Sequence, residues 1–417
     1  MSKGKECSIS SSGSCASLIT RVLQTLARLR SFLFLFFSEA LCLLACSCFG
    51  FSQAAPHTSD PFLHFRPRME MPGEQFVGRE VCAGCHAQKS RSHTAMEHAL
   101  LKPEASAVLK SHPRMQFSFE KYSYEISYAD GKAFFWVTDG ENTIIEPVLY
   151  AFGNGYVAQT YVLQHHGKLY EGRVSYYSRI DRLDWTIGDV QSSAPTLEEA
   201  FGRDINSDEA RNCFSCHGTG ALVDKKLNLE HLMPGVSCEA CHGPGATHVV
   251  AMRTGSGDGT YIFNPKNVDP DTLSQQFCGA CHRSADTVGM MPDLGGINNV
   301  RFQPYRMASS RGHSTSDPHF ACTACHDPHV DLNKDAVAYD ANCSSCHSVR
   351  RTAVSAANQS SKSAGKRSPA SDLARACPVG KDGCVSCHMP KVELPGAHFQ
   401  FTDHRIRVAR PGEKYPV

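Results

Sequence analysis

The chain has 417 residues, with 42 Lys and Arg against 41 Asp and Glu, so its formal net charge is +1. This balance gives no electrostatic support to nucleic-acid binding, which depends on an excess of clustered basic residues. The chain also holds 20 Cys and 21 His, and their spacing indicates the class of chemistry.

The first 55 residues are typical of an export signal. Basic residues precede an apolar run over residues 31–51, and small residues at the end of the segment suit cleavage. We predict a signal peptide over residues 1–55. An uncleaved membrane anchor is an open alternative, although Glu39 inside the run weakens it. A lipid on Cys46 is a second alternative, because Leu43–Cys46 resembles a bacterial lipobox.

Seven copies of the pattern Cys-x-x-Cys-His follow this segment, where composition alone predicts about 0.05 copies. Two thiols at this spacing can add across the two vinyl groups of one haem, while the adjacent His binds the iron. The pattern therefore predicts seven covalently bound haem c groups. In chain order, sites 1 to 7 are Cys82, Cys85 and His86; Cys213, Cys216 and His217; Cys238, Cys241 and His242; Cys278, Cys281 and His282; Cys322, Cys325 and His326; Cys343, Cys346 and His347; and Cys384, Cys387 and His388.

Zinc is the alternative cofactor, since paired Cys-x-x-Cys motifs also form tetrahedral metal sites. A zinc ribbon does not need a His directly after every second Cys, so haem is favoured. Disulfide bonds within each pair are less favourable still, because a two-residue loop leaves poor geometry for a bridge.

The sites divide the chain unevenly. Site 1 lies in residues 56–114 and sites 2 to 7 lie in a six-haem cytochrome c region, residues 201–417. Between them, residues 115–200 carry short aromatic and β-branched runs separated by turn signals such as Asp130-Gly131, which predict a small antiparallel β insert. We read this insert as a lid over haem edges, with a platform for a partner or substrate as the alternative. Aliphatic patterning is thin elsewhere, so we expect a loop-rich multihaem cytochrome c fold of mainly short α-helices around the haems.

The segment before site 7 has two features. Arg351–Ala376 is rich in small and polar residues and predicts a flexible surface loop. Cys377 is the one Cys outside both the predicted signal and the motifs. A free or buried thiol is the favoured interpretation, and a sulfur that approaches the seventh haem is the alternative.

Fourteen His lie outside the motifs, enough to supply second axial ligands and so to favour bis-His, low-spin haems. His165 and His166 in the sheet region are weaker candidates, and Met96 is the favoured Met ligand. His248 and His329 follow sites 3 and 5 so closely that we expect them to serve neighbouring haems. Six residues are predicted as distal metal ligands: His98, His248, His313, His319, His329 and His404. Asp403, directly before His404, is available to orient that His or a neighbour.

Three segments resemble the bacterial multihaem cytochromes c, a family that includes the tetrahaem electron acceptor of hydroxylamine oxidation and larger multihaem relatives. They are Asn212–His217, Gly235–Gly245, and Cys387–Pro390 together with Asp403-His404. The resemblance covers roughly residues 76–410. It implies periplasmic electron transfer, haems in parallel and perpendicular pairs, and mainly His ligation.

Matched residue by residue, the resemblance supports the seven motif His as proximal ligands. It supports His98, His248, His329 and His404 more weakly as distal ligands. The chain departs from the enzymatic relatives, because it has no Cys-x-x-Cys-Lys and fewer than eight haem motifs. The resemblance therefore does not carry over the lysine-ligated catalytic haem of the pentahaem nitrite reductases.

Covalent haem attachment outside the bacterial cytoplasm agrees with the predicted export, so we expect a periplasmic or cell-surface protein. The predicted function is electron transfer between a redox donor, with a quinol-linked membrane complex as a candidate, and a redox acceptor. The alternative is a multihaem oxidoreductase that reduces or oxidises a small nitrogen or sulfur compound at one five-coordinate haem, and no catalytic residue stands out for it. A docking role for the sheet segment in a larger complex is a third hypothesis.

Overall fold

The structure is a computed structural model that describes residues 66–69, 73–94, 96–189, 191–256, 261–289, 296–313, 320–347, 382–410 and 412–415. These residues all belong to one unit, Asp60–Val417. The predicted signal over residues 1–55, the predicted loop Arg351–Ala376 and Cys377 lie outside the described residues. Among the described ranges, no helix combines the length and the apolar character that a membrane span requires.

An antiparallel sheet of ten strands occupies the middle of the described chain. Its main path runs in the order β10-β7-β6-β5-β4-β3-β2, while β1 pairs with β5, and β8 pairs with β6 and β9. The strands are β1 (Leu100–Leu101), β2 (Arg114–Phe119), β3 (Tyr122–Ala129), β4 (Lys132–Thr138), β5 (Thr143–Phe152), β6 (Ala158–His165), β7 (Lys168–Gly172), β8 (Val174–Tyr177), β9 (Arg182–Trp185) and β10 (Gly202–Ile205).

Alternating burial and tight turns explain why these residues form a sheet. In β4, Ala133, Phe135 and Val137 are buried while the residues between them face outward. Ala129 pairs with Lys132 across a two-residue turn. Asp130 and Gly131 in that turn both have positive φ, 51° and 78°, which is the geometry of a type I′ hairpin. The Asp-Gly turn signal in the sequence is therefore confirmed.

The main apolar core lies on the inner face of this sheet and is rich in aromatic side chains. Trp185 contacts the rings of Phe117 and Tyr124 edge-on, at 5.2 and 6.3 Å between centroids. Phe201, from the helix between β9 and β10, packs edge-on against Phe135 at 5.6 Å. The sheet therefore has a core of its own, independent of the attachment sites.

The predicted fold class was wrong in one respect, since the β insert is not small. The sheet extends from Leu100 to Ile205, beyond both limits of the predicted insert, and is the largest element described. Two of its strands lack the usual sequence signals of a strand, for identifiable reasons. All four residues of β8 are buried, so they show no alternation. The central strand β5 contains Pro147, which normally argues against a strand.

The helices are short, as expected, and most of those after the sheet carry or flank an attachment site. The longest, α5, begins after Asn206, whose side chain accepts hydrogen bonds from the backbone N–H groups of Asp208 and Glu209. The α-helices are α1 (Arg79–Ala83), α2 (Ala87–Ser92), α3 (Ala107–Ser111), α4 (Leu197–Phe201), α5 (Ser207–His217), α6 (Cys238–His242), α7 (Ala246–Thr254), α8 (Gly279–His282), α9 (Ala285–Gly289), α10 (Gln303–Ala308), α11 (Asp340–His347) and α12 (Cys384–His388).

Shorter helical turns and small hairpins complete the described elements. Thr272–Cys278 is a π-helical turn that leads directly into α8. The 3₁₀ turns are Met96–Ala99, Pro103–Ala105, Pro265–Asn267, Gly296–Arg301, Cys322–Ala324 and Ala336–Tyr339. The two-stranded pairs are β11 (Gly218–Thr219) with β14 (Met233–Pro234), β12 (Leu222–Val223) with β13 (Lys226–Leu227), and β15 (Lys391–Leu394) with β16 (Phe399–Thr402).

Two neighbouring Phe residues on opposite faces of β4 allow a matched test of the sheet core. Phe135 is fully buried, whereas Phe134 is 38% exposed. We expect Phe135→Ala to lower the free energy of unfolding by about 3–5 kcal/mol, because it leaves a cavity beside Phe201. Phe134→Ala should cost about 0.5 kcal/mol. Urea unfolding followed by far-UV circular dichroism measures both, and equal losses would contradict the assignment of the buried face.

Candidate cofactor-binding sites

Helical turns bring the two Cys and the His of each motif together. The spacing i, i+3 and i+4 places three side chains on one side of a helix. Where the turn is short, the same closure is visible in the backbone. The His86 N–H donates to the Cys82 carbonyl at 2.8 Å, and the His326 N–H donates to the Cys322 carbonyl at 3.0 Å. The side chain of Cys346 at site 6 is not among those described.

Several imidazoles at or beside the sites are held in one tautomer by a backbone carbonyl. A carbonyl oxygen only accepts, so the Nδ1 atom that bonds to it carries the proton and leaves the Nε2 lone pair free to bind a metal. The four Nδ1 contacts are His217 to Ala99 O at 3.0 Å, His242 to Phe263 O at 2.9 Å, His388 to Arg407 O at 2.9 Å, and His404 to Thr402 O at 3.0 Å.

Burial keeps three of these rings neutral. Desolvation lowers the pKa of His217 and of His242, although the bonds to Ala99 and Phe263 partly oppose it. Desolvation likewise lowers the pKa of His404 to about 4. A neutral imidazole is the form that ligates a metal, so these rings are prepared for that role.

Three motif imidazoles each face a second imidazole from another part of the chain. A bond from a metal to an imidazole nitrogen is about 2 Å, and each ring nitrogen lies just over 1 Å from its centroid. Two rings on opposite sides of one iron therefore have centroids about 6–6.5 Å apart. The three pairs are His86 with His248 at 6.5 Å and 21° between ring planes, His242 with His329 at 6.0 Å and 19°, and His326 with His404 at 6.3 Å and 43°. This donor set fits haem with two axial His.

The other candidate ligands lie in different surroundings. His98 is exposed. His313 lies near Asp271, 3.5 Å from Nε2 to Oδ1, and its ring contacts Phe320. Met96 is half-buried at the start of a 3₁₀ turn, and His319 lies outside the described residues.

The two His of the sheet region take part in the structure of the sheet itself. His165 is buried in β6, and its Nδ1 lies 2.6 Å from the Glu146 carboxylate. His166 is exposed in a two-residue turn with positive φ of 48°. Hairpin formation thus accounts for the position of His166, and the contact with Glu146 for that of His165.

Thiol contacts show which sites are neighbours. The sulfur atoms of Cys side chains from different motifs lie next to each other, which places site 1 beside site 3, site 2 beside site 4, site 4 beside site 5, and site 6 beside site 7. The pairs are Cys82 with Cys238, Cys216 with Cys281, Cys278 with Cys322, and Cys343 with Cys384. The order in space therefore differs from the order in sequence.

A buried ion cluster holds the segment that carries His404. Asp403 is fully buried, and both its oxygens accept hydrogen bonds from Arg306, at 2.9 and 3.0 Å. Arg407 donates to the same carboxylate at 2.8 Å. We expected Asp403 to orient the His404 ring or a neighbour, but the Nδ1 of that ring bonds to Thr402 instead. Asp403 positions the backbone around His404.

Within the described ranges, no group of three or more His, Cys, Asp or Glu side chains is placed to hold a single metal ion, as a tetrahedral zinc site would be. The family described as Cytochrome c554 and c-prime matches residues 188–243, which contain sites 2 and 3. This match supports a multihaem c-type cytochrome. The resemblance drawn from the motifs is supported at that level.

No curated protein matches the chain. Among solved structures, an undecaheme cytochrome from the S-layer of Carboxydothermus ferrireducens is 17% identical with a TM-score of 0.35, over 80% of this chain and 53% of that chain. The chain therefore spans about half the length of that structure.

The Asp403 cluster yields a stability prediction. Asp403→Asn should lower the free energy of unfolding by about 3–5 kcal/mol, because it removes the charge that faces the buried guanidinium of Arg306. Glu413→Gln is the control, since Glu413 bonds to Arg407 at 3.2 Å in a more exposed position, and it should cost at most about 1 kcal/mol. Urea unfolding measures the free energy of unfolding of both variants. A loss for Asp403→Asn no larger than the control would show that the cluster is not stabilising.

Proposed function

We propose that this protein is an exported seven-haem c-type cytochrome that carries electrons between redox partners in the periplasm or at the cell surface. The observation that supports it most strongly is the set of three imidazole pairs 6.0–6.5 Å apart. When bound, haem c supplies a one-electron centre whose potential depends on its axial ligands.

The chain's own residues have defined roles in this proposal. The fourteen motif Cys would hold seven haem c groups covalently, and the seven motif His would each bind an iron. His248, His329 and His404 would supply the second ligand at sites 1, 3 and 5. Each of these distal residues lies in sequence just after a different site, namely site 3, site 5 or site 7. The ligands themselves therefore tie consecutive odd-numbered sites together.

Two imidazoles on one iron favour electron transfer over catalysis at that iron, because no coordination position is left for a substrate. The thiol contacts extend this network to the even-numbered sites through site 4 and site 5, and they bring site 6 against site 7. Close spacing of attachment sites suits transfer along the chain and gives no single centre a special role.

Export and partners are part of the same proposal. Residues 1–55 would direct the chain out of the cytoplasm, with residues 31–51 as a retained anchor or a lipid on Cys46 as alternatives. The partners would be a redox donor, such as a quinol-linked membrane complex, and a redox acceptor. After cleavage, 39 acidic and 37 basic residues would remain. The haem propionates would add further negative charge, so the partners would face an acidic surface.

The proposal predicts the cofactor content of the purified protein. Made in a host that attaches haem c, the chain should carry seven haems by mass and by pyridine haemochrome absorbance. Its electron paramagnetic resonance spectrum should be dominated by low-spin ferric signals. Fewer than seven haems would contradict the attachment sites. A high-spin component that responds to cyanide, nitrite or hydroxylamine would favour the oxidoreductase alternative.

The distal ligands can be tested one at a time. His248→Ala, His329→Ala and His404→Ala should each convert one haem in seven from low to high spin without loss of covalent haem. His404→Met should keep that haem low-spin and raise its reduction potential, because Met favours the reduced iron. His231→Ala is the control, since His231 is exposed and outside the motifs. A spectrum unchanged in all three Ala variants would contradict the ligand pairs.

A further inference from the structure

Two acidic side chains beside attachment sites each bind the backbone of a different site. Glu239 lies between the two Cys of site 3, and Asp340 is the first residue of α11, which carries site 6. Both are buried, at 1% and 8% exposure. Acidic residues are seldom buried without a dedicated role, and no part of haem attachment itself requires them. We call this pair the carboxylate clamps.

Glu239 ties site 3 to site 1. Its carboxylate accepts hydrogen bonds from the N–H groups of Val77 at 2.9 Å and Gly78 at 2.8 Å, which directly precede α1. It also accepts from the N–H of Gly245, just after site 3, at 2.8 Å. The helix α1 carries Cys82 of site 1. One side chain therefore holds the start of the first site against the third, where the thiols of Cys82 and Cys238 meet.

Asp340 ties site 6 to site 7 in the same manner. One carboxylate oxygen accepts from the N–H of Gly383 at 2.6 Å, and the other accepts from the N–H of Cys384 at 2.9 Å. Cys384 is the first Cys of site 7, and its sulfur lies next to that of Cys343 of site 6. The sequences around Glu239 and Asp340 differ, yet each of the two residues lies at a thiol contact between two sites.

The other two thiol contacts are accompanied by neutral or basic side chains. Arg68 donates from Nε to the Ser215 hydroxyl at site 2 and from Nη1 to the Ala280 carbonyl at site 4, both at 2.9 Å. The Ser274 hydroxyl, before site 4, accepts from the N–H of Cys322 at site 5 at 3.2 Å. A side chain that bridges two sites accompanies each of the four thiol contacts in the described residues, and at two of these contacts it is a carboxylate.

We propose that Glu239 and Asp340 are positioning residues that set the separation of site 1 from site 3 and of site 6 from site 7, and that their charges lower the reduction potentials there. This inference rests on the proposed electron-transfer function. Backbone N–H donors hold each carboxylate in place. A fixed negative charge in a buried position favours the more positive, oxidised iron and is only weakly screened.

The test compares each clamp with an exposed acid close in sequence to a Cys of the same pair of sites. Glu239→Gln is matched by Glu80→Gln, and Asp340→Asn is matched by Asp382→Asn. Glu80 and Asp382 are exposed and lie two residues before Cys82 and Cys384. Each pair of variants removes the same charge. The full holoprotein is used throughout, and Glu239→Asp serves as a variant that keeps the charge but shortens the side chain.

Two measurements separate charge from position. In a spectroelectrochemical titration, Glu239→Gln and Asp340→Asn should each move the components of two sites to higher potential, by more than their controls do. In the Soret region, the exciton couplet of neighbouring haems in circular dichroism should change for both variants. Glu239→Asp should alter the couplet while leaving the potentials closer to those of the unmodified protein.

The outcomes distinguish this inference from the proposed function. If both clamp variants match their controls in potential and in the Soret couplet, the clamps are structural only and the inference fails. If a clamp variant loses haem at its own two sites and keeps the other five, as haem-peptide masses would show, the positioning role is supported. A haem count below seven in the unmodified protein would instead overturn the proposed function.

Discussion

The contact on which the rest of this structure depends is that of one imidazole facing another across about 6 Å. In three cases a motif His meets a His that comes from beyond the next odd-numbered site. An iron held between two rings would cross-link segments far apart in sequence, as an apolar contact does in an ordinary core. The chain after the sheet can therefore be built from short helices with little aliphatic packing.

The sheet is stabilised in a different way from the attachment sites. Its aromatic core, around Tyr124, Phe135 and Trp185, is buried by ordinary side-chain packing. On its other side it contacts site 2, where the ring of Phe152 lies beside His217 at 4.8 Å and Tyr150 packs against Phe214 of α5. The sheet thus contributes a rigid wall to site 2, whereas the odd-numbered sites are organised by each other.

Polar side chains buried between sites set how the sites lie against one another. Glu239, Asp340 and Asp403 bind backbone N–H groups or guanidinium groups from distant segments. Sequence reasoning found Asp403 because it precedes His404, but it missed Glu239, Asp340 and Arg306. The available signal was an acidic residue inside a motif or three residues before one, and nothing local distinguishes such a residue from an exposed one such as Glu80. Burial is a property of the surroundings, so only the folded chain identifies these residues.

By itself, the sequence determined the chemistry, because covalent attachment needs two Cys and a His at one local spacing that a helical turn closes. It also indicated that His248 and His329 serve neighbouring sites, since each is too close in sequence to its own site. The tertiary structure decided which site each His faces, the order of the sites in space, and the extent of the sheet. These depend on contacts between residues tens to hundreds of positions apart. Local patterns could not supply the extent of the sheet, as two strands show. Every residue of β8 is buried, and β5 contains Pro147.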